Sequence, residues 1–90
     1  MFEERMEEAV LARLKGEREK QKLSQLDLSN LSGVSQNMIT YIETGKRTPS
    51  LRTFLKLCQA LKINPAVLFK DEDDEKERLK AEIIELVSRI

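Results

Sequence analysis

Histidine is absent from this 90-residue chain and cysteine occurs once, at Cys58. A lone thiol cannot close an intrachain disulfide, and no imidazole is there to join it around a metal, so neither a metal nor another cofactor is expected. No apolar run approaches the length of a membrane span or the core of a secretion signal, which points to a reducing cytoplasm and no membrane partner. With only two prolines and three glycines against 40% apolar and 36% charged residues, the composition suits packed helices and argues against disorder. Also missing are a nucleophile paired with a base, a phosphate-cradling glycine loop and any carboxylate cluster outside one acidic run, which excludes an enzyme. Ninety residues make one domain whose modest core would gain from association.

Net charge is zero, yet the charges are sorted along the chain. Residues 1–12 carry four acids and Arg5, and residues 63–90 carry eight acids and five bases, so each end is net minus three. Between Arg13 and Lys62 stand ten Lys or Arg against Glu17, Glu19, Asp27 and Glu43, net plus six. A basic module between acidic ends is the footprint of a phosphate-binding surface.

The apolar spacing predicts an all-α fold. Met6, Val10 and Leu14, with Phe2 and Leu11, recur at helical intervals, and only Gly16 interrupts before Lys22, so one long first helix is expected. Ser24 is a good cap with Asp27 three residues on, and Leu28 and Leu31 give a short second helix its apolar stripe. Gly33 then suits a left-handed turn, Val34 plugs it, and Ser35 caps a third helix that turns Met38, Ile39 and Ile42 inward. Gly45 ends that helix and Lys46–Thr48 form a basic loop. Pro49 and Ser50 launch a fourth helix with Leu51, Phe54, Leu55, Leu57, Cys58 and Leu61 mostly in the core, where Cys58 serves as a small hydrophobe. Asn64 and Pro65 open a short fifth turn whose Val67, Leu68 and Phe69 close the core, and the acidic run Asp71–Glu75 starts a sixth helix.

The stretch from Leu23 to Ser50 carries three signatures: a Leu-Ser-Gln opening at 23–25, a Gly-Val-Ser turn at 33–35, and Ile-Glu-Thr-Gly-Lys-Arg-Thr-Pro-Ser at 42–50. It resembles the helix-turn-helix of the Cro/cI-type (XRE) transcriptional regulators over roughly residues 10–69. The resemblance implies a five-helix, lambda-repressor-like DNA-binding domain over 10–69, usually used as a dimer. Here it would carry an N-terminal helical extension at 1–9 and an additional amphipathic helix at 70–90. It also puts Lys46, Arg47 and Thr48 against the DNA strand beyond the groove, and Arg18 either near DNA or, the favoured reading, in an internal ion pair with Glu43. Where the family often has alanine this chain has Ser29, still small enough for a close helix crossing.

The residues make chemical sense for a recognition helix at 35–44. Gln36, Asn37, Thr40 and Tyr41 fall on the outer face, where Gln and Asn can pair with adenine, Thr can meet a thymine methyl and Tyr can reach a base or phosphate. Gln25, in the first turn of the second helix, directs its amide toward the DNA backbone, and Ser24 and Ser35 at the two caps join it as phosphate contacts. The expected ligand is double-stranded DNA, read by a transcriptional repressor at an inverted-repeat operator.

Leu79, Ile83, Leu86 and Ile90, widened by Ile84 and Val87, form an apolar stripe that has to be covered. Either the chain's own Phe2, Met6 and Val10 cover it, or a second copy does through Leu79, Ile83, Leu86, Val87 and Ile90, as a homodimer spacing two recognition helices about 34 Å apart. A rival to the regulator is an interaction module on the same fold, binding a toxin or antirepressor protein with DNA secondary.

Overall fold

The computed structural model describes residues 2–69; the expected sixth helix, with Leu79, Ile83, Leu86, Val87 and Ile90, lies outside the described residues. Within them the order is α1 (Phe2–Lys20), α2 (Gln25–Ser32), α3 (Gln36–Glu43), α4 (Leu51–Ala60) and a closing 3₁₀ helix (Pro65–Phe69). The all-α class stands, but the fifth helix is a single 3₁₀ stretch. Asn64 Oδ1 accepts from Ala66 N at 3.0 Å and so starts a turn too short to become an α-helix.

Three serines open helices in the same way. Ser24, Ser35 and Ser50 each have an extended backbone and a side chain that accepts from the N–H three residues on. At Ser24 the exchange is reciprocal, since Asp27 Oδ2 accepts from Ser24 N at 2.9 Å. Helix ends are equally regular. Leu23 N, Lys46 N and Ile63 N reach back five residues to Arg18, Tyr41 and Cys58 carbonyls, wrapping left-handed residues at Lys22, Gly45 and Lys62. Two of these three positions hold lysine, so the chain ends α1 and α4 against the usual side-chain preference.

The core joins Val10 and Leu14 of α1, Leu28 of α2, Val34 of the turn, Ile39 and Ile42 of α3, Phe54, Leu57 and Cys58 of α4, and Leu61 and Leu68 beyond it. Met6, Leu11, Leu23, Met38, Ala60 and Ile63 pack against this cluster. The apolar stripe is narrower than its sequence suggests. Leu31 is 59% exposed, Leu51 73% and Phe2 65%, while Leu55, Val67 and Phe69 also lie in the exposed class. Each helix is too short to turn more than one stripe inward, and Leu28, Phe54 with Leu57, and Leu68 already fill the space. Phe69 still meets Phe54 edge-on, with ring centroids 6.0 Å apart. Arg13 of α1 and Gln21 in the turn after it bind the far end of the fold: Arg13 Nη1 donates to Leu68 O and Gln21 Nε2 to Leu61 O, both at 2.8 Å.

Candidate nucleic-acid interface

The turn between α2 and α3 is Gly33-Val34-Ser35. Gly33 takes φ +77° and donates its N–H to Ser29 O, while Val34 is buried and donates to Ser32 Oγ. A left-handed residue followed by a buried plug sets the angle between the helices, so α3 presents one face outward while Ile39 and Ile42 fix the other.

On the outer face Gln36 and Asn37 are exposed and Tyr41 is partly so. Lys46, Arg47 and Thr48 follow in an exposed loop that is tied to α3, because the N–H groups of Lys46 and Arg47 both donate to Tyr41 O, at 2.8 and 3.1 Å. The Arg47 guanidinium also lies 5.5 Å from the centre of the Tyr41 ring, a cation–π contact that joins two predicted DNA-facing residues. The hydroxyls of Ser24 and Ser35 accept the capping N–H groups and retain their own O–H as donors beside the helix N-termini.

Gln25 and Thr40 sit differently from the rest. Both are half-buried and bonded to each other, Thr40 Oγ1 donating to Gln25 Oε1 at 2.8 Å. Gln25 Nε2 donates to Glu43 Oε1 at 3.0 Å. Glu43 also takes two bonds from Arg18, Nε to Oε2 at 2.7 Å and Nη2 to Oε1 at 2.9 Å, with side chains 11% exposed for Arg18 and 4% for Glu43. Arg18 Nη1 adds a 2.7 Å bond to Leu23 O. The expected ion pair is therefore present, as a two-pronged contact that binds α1 to α3 and carries α2 with it.

Burial pushes the Glu43 carboxyl up, but bonds from Arg18 and Gln25 and the charges of Arg18 and Lys15 outweigh it, leaving the group below the usual glutamate range. The Arg18 guanidinium is raised above its ordinary value, chiefly by its bond to Glu43. Asp27 is lowered by bonds from the Ser24 backbone and side chain, and burial raises the Cys58 thiol. The reach of Glu43 to Gln25 and of Arg47 to Tyr41 was not read from sequence. The first had a signal: Gln36, Thr40 and Glu43 recur at four and three residues, a stripe of their own beside the apolar one. The second had none, since a loop residue carries no helical period.

The helix-turn-helix family model matches residues 14–68, more than half of the chain. The chain belongs to that family, as an XRE-type member. Among solved structures it is similar to the crystal structure of the restriction-modification controller protein C.AhdI from Aeromonas hydrophila. The two are 39% identical, with a TM-score of 0.64 over 68% of this chain and 92% of that one. No curated protein matches it by sequence. This helix-turn-helix protein is a DNA-binding transcription regulator. Among its described residues no helix is long and apolar enough to cross a membrane.

Proposed function

We propose that the protein reads an inverted-repeat operator in double-stranded DNA as a homodimer and represses transcription there. The observation that carries the reading is the face of α3, where Gln36, Asn37 and Tyr41 stand clear of a helix whose other side is locked by Ile39 and Ile42. Gln36 and Asn37 have the donor and acceptor pairs that match adenine in the major groove. Lys46, Arg47, Thr48, Ser24, Ser35 and Gln25 hold phosphates on either side, giving affinity without sequence choice. Likeness to a restriction-modification controller protein supports the regulatory role.

The dimer is proposed to form through Leu79, Ile83, Leu86, Val87 and Ile90. Its support is the state of the competing cover: Val10 is already buried and Met6 already packed on the core, which leaves Phe2 alone of the three free to cover a stripe. Selection of bound duplexes from a random pool tests the reading. An enriched inverted repeat is expected, whereas a folded protein that enriches nothing would favour a protein partner instead.

A further inference from the structure

The Gln25–Thr40 contact carries an inference that rests on the DNA reading above. Thr40 Oγ1 lies 2.8 Å from Gln25 Oε1 and 3.0 Å from Gln36 O. Neither the Gln25 amide oxygen nor the Gln36 carbonyl has a proton to give, so the one threonine proton is donated between them, with the shorter contact going to Gln25. At its other end the Gln25 amide faces Glu43, an ionised carboxylate that only accepts. Turning the amide over would set oxygen against carboxylate and lose the bond to Glu43. Gln25 is thus held in one orientation, with a single N–H left over at the first residue of α2.

We propose that Thr40 is a positioning residue: its hydroxyl, with Glu43, fixes the Gln25 amide so that the remaining N–H meets a DNA phosphate, and Thr40 itself reads no base. The hydroxyl expected on the base-reading face spends its proton inside the protein, and Gln25 reaches the backbone with its rotamer already chosen. A clamp ordered before binding loses less freedom when it engages.

The test uses the full-length chain, the duplex recovered by selection and each of its single-base variants. Thr40→Val keeps the shape and removes the hydroxyl; Thr40→Ser keeps the hydroxyl. Thr40→Val is expected to weaken every duplex by the same factor, about fivefold. Base preference and salt slope should not change, because an amide bond to phosphate releases no counterion. Thr40→Ser should restore affinity, and Gln25→Ala should cost little more in the Thr40→Val background. Thermal unfolding of each variant shows how much of any loss is unfolding, and a loss fully explained that way would overturn the proposal. So would a changed base preference at one position in Thr40→Val, additive losses for the two substitutions, or undiminished affinity. If the wild-type protein binds no duplex, the DNA reading itself fails and the positioning role falls with it, an outcome distinct from the others because no variant is needed to see it.

Discussion

Gln36 and Lys46 should respond to substitution in opposite ways, because one addresses base edges and the other phosphate charge. Gln36→Ala is expected to cost about 1–3 kcal/mol of binding and to relax choice at one base pair. Lys46→Ala should weaken all sequences alike and lower the slope of log affinity against log salt by about one. Titrating both variants on operator and point-mutant duplexes at two salt concentrations separates them. The buried pair offers a sharper contrast. Glu43 titrates below its ordinary range in the folded protein, so its contribution is fully present above the unfolded glutamate pKa, about 4.3, and fades as pH falls through the folded value. In Arg18→Met the same carboxylate keeps its burial and loses its cation, which should cost about 3–5 kcal/mol near neutral pH. Its pKa would then lie above the unfolded value, and acidification from pH 7 toward 5 should restore part of the loss. Urea midpoints for wild type and variant across that range check the sign: the variant should gain where the wild type is flat.

At the scale of the helix, the left-handed ends at Lys22 and Lys62 are where sequence and structure part company. Serine caps, the Gly33 turn and the inward Ile39 and Ile42 were legible because each is a local rule written in neighbouring residues. The apolar pattern runs on toward Lys22 whereas α1 stops at Lys20, and nothing in the residue itself marks the left-handed turn, since lysine at φ 59° is held by bonds that reach back to Arg18 and Glu19. Exposure of Leu31, Leu51 and Leu55 was illegible for a related reason: periodicity gives the face, and only the neighbouring helices decide how wide a face they cover. Helical spacing puts Thr40 on the groove face, and spacing alone does not show that Gln25, eighteen residues from Glu43, bonds to both. The lysine caps make a prediction. Lys62→Gly relieves a left-handed strain of about 1 kcal/mol, part of which the more flexible unfolded chain takes back. A Tm a few degrees higher is expected, read by circular dichroism. Gly33→Ala, where nothing lies within 4 Å of a new Cβ, should lower stability by about 1 kcal/mol through backbone conformation alone.

The molecule as a whole is a small core held by contacts that reach far along the chain. Cys58 reports on its integrity: burial raises the thiol and hides it, so labelling by a water-soluble disulfide reagent should be slow in the folded protein and should speed up in step with unfolding in urea. Rapid labelling without denaturant would mean that the core opens locally around α4. Ile83→Glu with Leu86→Glu should abolish the proposed dimer in sedimentation while leaving the helical signal of the DNA-binding unit, and an unchanged dimer would place the interface elsewhere.

The bond from Arg13 to Leu68 spans 55 residues. While the chain is being synthesised, α1, α2 and α3 leave the ribosome well before Leu68 does, and until then the core lacks its last large side chain and α1 lacks the carbonyl its arginine holds. The reading head is thus made early and finished late. A nascent chain halted with residue 60 at the tunnel exit should leave Cys58 open to the labelling reagent, and one halted some ten residues later should begin to protect it.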